Sequence, residues 1–484
     1  MKQTTLIISI LSFFFVSNFT YAQKSKNAYE ITIKIKNSTD SIIYLANYYG
    51  KNQYLKDSAK VDPKNPGTYV FRGEEPLPGG VYIIASQGKA RLLEFLVDKN
   101  QKFTFETDTL DYLKNIKVKN SPENEAFFDY IKTISNHQMQ LSKLNSEYKT
   151  AKEGEQKELA KSLKKEITEK QEEIENFTIN YIEKNKDLFL SRVLSLSREV
   201  KVPEYPKLED GTVDSTFGWR YYKQNYWMYV DLTDDRLLRT PVFHNKLQNY
   251  FENVIVQDND SIKKEVDWMI EQTRPNDEMF KYSTWFLTNF YETSKIMGFD
   301  EIFVYIVEKY YMTNQCTWVA PHTLENLAKR ATQLKTILIG AKVPELIMPD
   351  SNNVWQSSYQ FNTKYTIMWF WDPDCGHCRT ETPKLRDLYN TLGRKLDFEV
   401  FAVSTDPDID RWKKYIRENE LSFMNVGGHS ANIDYYKAFD LYATPVMFIF
   451  DRDKKIVAKR LGVDDVEHFL TSYEKMLEMK KNKE

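Results

Sequence analysis

The chain has 484 residues, more than one ordinary hydrophobic core organises, so several domains are expected. Lysine and arginine number 67 against 69 aspartates and glutamates, and a formal net charge of −2 excludes a general basic surface for nucleic acid. With 28% charged and 14% aromatic residues, the composition is that of a globular protein and not of a disordered one.

Residues 1–22 read as a secretory signal. Lys2 supplies the positive start, residues 6–16 the apolar run, and Thr20-Tyr21-Ala22 the small residues of a cleavage site. The apolar run is too short to span a bilayer comfortably, which argues against an anchor. Cleavage is expected after Ala22, and no cysteine follows that would take a lipid. The sequence shows no later run apolar enough to cross a membrane. The mature protein is therefore expected to be exported to the periplasm or cell envelope without spanning the membrane.

Residues 23–118 read as an all-β, sandwich-like domain. The stretch 29–35 alternates, with Ile31, Ile33 and Ile35 on one face and Thr32 and Lys34 on the other. Further short strands are predicted at 41–46, 68–72, 81–85, 92–97 and 102–107, punctuated by Asp62-Pro63, Asn65-Pro66-Gly67, Pro78-Gly79-Gly80 and Asp98-Lys99-Asn100. No catalytic constellation stands out in this stretch.

Residues 119–340 read as a helical domain. Ser121 is a capping residue, Pro122 fits the first helical position, and Glu123 follows in the first turn. Leu141, Leu144 and Tyr148 form one narrow apolar stripe. Leu159, Leu163, Ile167, Ile174, Phe177 and Tyr181 form another, with Glu153-Gly154-Glu155 as the turn between them. A protruding helical arm and a solvated pair lying on the domain both fit this pattern. The aromatics of 221–230 read as core more readily than as a ligand groove. Asp231, Asp234 and Asp235 read as a capped helix start before Arg236, because the spacing lacks the glycine turn and downstream glutamate of a calcium loop. His244 and His322 have no metal-ligand partner at helical spacing and read as structural or surface residues.

Residues 341–484 read as a separate α/β domain, entered through an extended stretch marked by Pro344 and Pro349. A buried strand is predicted at 365–371, a turn at 372–374 and a helix at 379–392. Strands follow at 398–404, 446–450 and 455–460, with helices at 408–419, 432–439 and 464–480. Between the first strand and its helix lies Cys375-Gly376-His377-Cys378. Two cysteines at this spacing can close a disulfide within one helical turn, and a helix start stabilises a thiolate. A C-x-x-C between strand and helix is the geometry of a thioredoxin-like redox site. Zinc is the other reading, but it needs four ligands, and the one remaining cysteine of the three, Cys316, is distant. Cys316 reads as a buried inert thiol. No metal and no cofactor is expected.

These motifs resemble the TlpA/ResA branch of the thioredoxin superfamily, the exported thiol–disulfide oxidoreductases. The likeness covers roughly residues 341–480. Phe370-Trp371 precedes the redox pair as in the family, Pro383 falls at the helix-kinking proline, and Glu381 matches a glutamate just beyond the second cysteine. Thr444-Pro445 matches the pair at the cis-proline loop. The resemblance implies Cys375 as nucleophile, Cys378 as resolving thiol, and a redox disulfide between them. It also implies Glu381 as proton relay, with Thr444, Pro445 and Trp371 on the substrate side. Residues 23–340 look like domains of unknown function fused ahead of such modules.

This chain departs from the family in three places. Thioredoxin's buried aspartate is replaced by Trp369, the tryptophan before the first cysteine by Asp374, and Gly376-His377 is the dipeptide of protein disulfide isomerase. His377, like the helix start, is expected to lower the Cys375 pKa. The expected partners are disulfide-containing envelope proteins and a membrane electron donor. An oxidase or isomerase role for the same site stays open, as does a binding or scaffold protein with an accessory redox module. The peroxiredoxin pattern Pro-x-x-x-Thr-x-x-Cys does not precede either cysteine.

Overall fold

The computed structural model describes residues 28–482. The expected signal lies outside the described residues. The chain divides between Asn249 and Tyr250 into two compact units. The helical stretch anticipated over 119–340 is thus shared between them, because tertiary packing and not helical periodicity decides which core a helix joins.

The first unit opens with β1 (Tyr29–Lys36), β2 (Ile42–Tyr49), β3 (Asn52–Asp62), β4 (Asn65–Gly73), β5 (Gly80–Ala85), β6 (Arg91–Val97), β7 (Lys102–Asp108) and β8 (Lys117–Lys119). They form one sheet in the order β6-β5-β2-β3-β4-β1-β7-β8. β1 lies antiparallel to β4 and parallel to β7, so Ile31 faces Phe71 on one side and Phe103 on the other. Ile31, Ile33 and Ile35 are buried as their alternation requires. The sheet curls until strands from opposite ends meet: the Phe95 ring of β6 lies 5.9 Å from Phe103 and 5.2 Å from Phe105 of β7. This is the sandwich-like β domain the alternation predicted. Sequence reading places no strand at β3 or β8. β3 is polar and largely exposed, so it shows no apolar alternation.

Ser121 caps α1 (Pro122–Glu153) by accepting the Asn124 N–H, with Pro122 in the first turn. A turn at 154–156 leads to α2 (Lys157–Lys184), which forms a hairpin with α1. Of residues 131–180 only Ala151, Leu163 and Ile167 are buried, so most of the hairpin is a solvated two-helix arm. α3 (Phe189–Leu196), α4 (Phe217–Asn225) and α5 (Phe243–Asn249) complete the unit. Tyr226 and Trp227 are buried, as expected for core aromatics. Asp234 accepts the Arg236 N–H as a cap, and its carboxylate also pairs with the Arg236 guanidinium at 2.6 Å. No cluster of metal-ligating side chains occurs among the described residues. His244 is buried, which pulls its pKa down, and His322 is exposed.

The second unit begins with α6 (Asn259–Thr273), α7 (Asp277–Glu292), α8 (Asp300–Ile306) and α9 (Pro321–Lys335). Cys316 is buried between α8 and α9 in sequence, and burial pushes its thiol up to about 12, as an inert cysteine requires. The α/β part follows: β9 (Ile347–Pro349), β10 (Trp355–Ser357), β11 (Tyr365–Trp371), α10 (Gly376–Leu392), β12 (Phe398–Ser404), α11 (Ile409–Glu418), β13 (Met424–Val426), α12 (Tyr435–Ala438), β14 (Val446–Asp451), β15 (Ile456–Lys459) and α13 (Val466–Lys481). The central sheet runs β13-β12-β11-β14-β15. All seven residues of β11 are buried, as a central strand covered on both faces must be. It runs parallel to β12 and antiparallel to β14. The helix predicted over 432–439 is a single turn, capped by Asp434.

Among the described residues no helix is long and apolar enough to cross a membrane.

Candidate active site

β11 ends at Trp371, and the next residues form a tight turn that Asp372 organises. Its carbonyl accepts the Cys375 N–H at 3.1 Å, and its carboxylate accepts the Asp374 N–H at 2.7 Å. α10 starts at Gly376, three residues before the predicted start, which makes Cys375 the N-cap residue. Cys375 has an extended backbone, and its carbonyl takes the first helical hydrogen bond from Arg379, at 3.0 Å. Gly-His-Cys carries no apolar periodicity, so sequence alone sets the helix start too late.

The two thiols are free and differ in setting. Cys375 is partly exposed and Cys378 is fully buried. Burial alone pushes the Cys375 thiol up. Hydrogen bonds from the Cys378 backbone and thiol, from Thr444 and from the His377 N–H outweigh it, and the pKa falls below the ordinary value. Cys378 goes the other way: burial pushes it up to about 12, although the Asp372 N–H points at its sulfur from 3.4 Å. The Thr444–Pro445 bond is cis, and the Thr444 carbonyl accepts from Cys375 Sγ at 3.3 Å. Residues 69 positions apart in sequence are thereby brought to one point.

The remaining predicted residues sit around this pair. His377 is exposed on the first turn of α10. Glu381 pairs with Lys384 at 2.9 Å, and Lys384 also reaches Asp464 at 2.7 Å. Trp371 is fully buried with its ring 5.2 Å from Tyr415, so it forms the floor of the site and offers no face to a substrate. Trp369, where thioredoxin has a carboxylate, donates its indole N–H to the buried Thr382 hydroxyl at 3.1 Å. A neutral pair therefore replaces a buried acid.

Two ion clusters escape sequence reading. Asp406 is held by two hydrogen bonds from Arg411, at 2.7 and 2.6 Å, and this pairing lowers its pKa. Asp440, its side chain wholly buried, pairs with Arg330 of α9 and with Arg460. Arg330 and Asp440 are 110 residues apart and are brought together only by the tertiary fold, while Asp406 and Arg411, five apart across a helix start, fall outside the i,i+3 and i,i+4 spacings that mark helix pairs.

A five-stranded mixed sheet with helices connecting its strands, a dithiol at a helix start and a cis-proline opposite it define a thioredoxin-like thiol–disulfide oxidoreductase. Residues 339–459 match the AhpC/TSA family model. Residues 29–127 match a domain of unknown function, DUF4369, and residues 149–336 another, DUF5106. No curated protein matches the chain. Among solved structures, it is similar to a domain of possible thiol-disulfide isomerase from Cytophaga hutchinsonii, with 38% identity, 29% of this chain and 97% of that one covered, and a TM-score of 0.28. It is also similar to the thioredoxin domain of a thiol-disulfide oxidoreductase from Bacteroides vulgatus, with 30% identity, coverages of 28% and 96%, and a TM-score of 0.25. A thiol:disulfide interchange protein from Bacteroides sp. shows 30% identity, coverages of 28% and 88%, and a TM-score of 0.25. The peroxiredoxin pattern is absent: Asp372 and Met368 stand where Cys375 would need threonine and proline, and Cys375 and Trp371 where Cys378 would.

Proposed function

We propose that the protein is exported and reduces disulfides of envelope proteins through Cys375 and Cys378. The observation that carries this reading is the inequality of the two thiols, one accessible and acidified, the other buried and raised to about 12. The Cys375 thiolate attacks a substrate disulfide, forms a mixed disulfide and expels one substrate thiolate. Cys378, deprotonated, attacks Cys375 Sγ, expels the second substrate thiolate and leaves the Cys375–Cys378 disulfide. Two electrons pass to the substrate, and a membrane partner returns the enzyme to its dithiol form. Glu381, three residues beyond Cys378, takes the Cys378 proton once it lets go of Lys384. Thr444 and Pro445 border the thiol, and the substrate backbone lies along them.

The test is trapping. Cys378→Ala, expressed in the cell envelope, accumulates mixed disulfides whose partners identify the substrates, and Cys375→Ala accumulates none. Adducts that form equally in both variants would defeat the assignment of nucleophile.

A further inference from the structure

A groove of about 1080 Å3 lies between α9 and the one-turn helix α12. α9 supplies Ala328 and Thr332 and its C-cap Thr336 to one wall, and Ile433, Tyr436 and Leu441 supply the other. The rim carries two aromatics open to solvent, Tyr436 at 46% and Tyr442 at 79% exposure. Exposed aromatic rings beside an apolar trough are characteristic of surfaces that bind polypeptide. The walls are fixed relative to each other. Arg330 Nη2 donates to Asp440 Oδ2 at 2.9 Å, and Gln333 Nε2 donates to the Lys437 carbonyl at 2.6 Å. The groove therefore exists before any ligand arrives, and binding there costs little ordering of the protein.

One rim residue of the groove, Tyr442, lies close to the dithiol. Tyr442 precedes Thr444 by two residues, so their Cα atoms are no more than about 8 Å apart. The Thr444 carbonyl is in turn 3.3 Å from Cys375 Sγ. An extended chain advances about 3.3 Å per residue, so about three residues reach from the groove to the thiol.

We propose that this groove seats the substrate polypeptide beside its reacting disulfide, taking an apolar or aromatic side chain about three residues from the cysteine attacked. The proposal rests on the redox reading of Cys375 and adds a substrate class to it. The charges along the groove, Glu325 and Asp434 against Lys329 and Lys437, balance, so apolar fit and not net charge selects the occupant. The nearness of Tyr442 to Thr444, whose carbonyl meets Cys375, makes the occupant the substrate chain and not a separate partner. One wall belongs to the region that matches DUF5106, which gives that region a part in substrate choice.

The experiment compares two synthetic disulfide-bridged peptides, alike except for phenylalanine or serine three residues from each cysteine, with glutathione disulfide as control. The full chain is expected to reduce the phenylalanine peptide with a kcat/KM about tenfold higher than the serine peptide. Thr332→Trp and Thr336→Trp, which fill the groove from exposed positions on α9 and at its C-cap, are expected to abolish that preference through KM and to leave glutathione disulfide reduction unchanged. Absence of a preference in the wild type, or its survival in both filled variants, overturns the proposal. Failure of the wild type to reduce any of the three disulfides overturns the redox reading instead.

Discussion

The ammonium of Lys459, on the edge strand β15, is buried against the carboxylate of Asp300 in the first turn of α8. It also donates to the Ile337 carbonyl at 2.7 Å. Its side chain is 5% exposed, and burial lowers its pKa despite the Asp300 charge. The pair joins the helical part of the second unit to the redox sheet.

That pairing predicts an asymmetric pair of mutants. Asp300→Ala leaves a buried cation without its counter-ion and is expected to cost about 3–5 kcal/mol. Lys459→Met removes charge and desolvation cost together and is expected to change stability by less than about 1 kcal/mol. The double variant is expected to recover most of the loss. Urea unfolding of the three proteins measures this, and equal losses in the two single variants would contradict it.

The same contacts bear on where the chain can be cut. The Gly340 N–H donates to the Ile456 carbonyl at 2.7 Å and the Val343 N–H to the Lys454 carbonyl at 2.8 Å. A fragment beginning at Ala341 keeps the whole redox sheet and is expected to fold, but it loses Asp300 and Ile337 from around Lys459. A fragment beginning at Tyr250 keeps them. Thermal melts are expected to place the shorter fragment about 5–10 °C below the longer one. Indistinguishable midpoints would show that the helices add nothing to the sheet.

Much of this architecture is legible in the residues themselves. The apolar run of β11, bounded by the Asp372-Pro373-Asp374 turn, announces a central strand, and Ser121-Pro122-Glu123 announces α1. The dithiol and the Thr444-Pro445 pair are readable as motifs. β3 is not, because only Ala59 of its residues is buried and a largely solvated strand leaves no alternation to read. The Asp440–Arg330 pair is not either, since 110 residues separate its members. The division at Asn249 is invisible because the helical run of α5 continues directly into a π-helical turn at Tyr250–Val254, with no turn or breaker residue to mark it.

The thiols predict a pH profile. Cys375 has a pKa lowered from the ordinary 9.0 and Cys378 one raised to about 12. Iodoacetamide should modify native reduced protein once, at Cys375, with a rate that rises with pH and reaches half its maximum below 9.0. The sign for stability follows from Cys378: a thiol protonated longer in the folded than in the unfolded state stabilises the fold fully below the ordinary thiol value. That contribution is lost as pH rises toward 12. Mass spectrometry showing two fast modifications at pH 8 would contradict the inequality of the pair.

His377, exposed one residue after the helix start, bears on the direction of electron flow. Thioredoxin lies near roughly −270 mV and protein disulfide isomerase near roughly −180 mV. Stabilising the Cys375 thiolate favours the reduced form, so the potential is expected above that of thioredoxin, and His377→Pro is expected to lower it. Equilibration with glutathione measures both. A wild-type value at or below that of thioredoxin would remove the role given to His377, and one near that of protein disulfide isomerase would favour oxidase or isomerase work.

The position of β1 has a consequence for how the chain comes into being. Among the described residues β1 is the first strand to emerge, yet in the finished sheet it is sandwiched between β4 and β7. One of its edges stays unsealed until Gly73 has appeared and the other until Asp108. Until then an apolar ribbon with open hydrogen-bonding edges is available to any neighbouring chain. Under the proposed export, a thread passed through a membrane before it folds cannot close this sheet early, and that delay keeps it slack enough to be threaded. The cost is a vulnerable interval before the sheet closes, when β1 depends on later residues of the chain, or on a chaperone, to cover it.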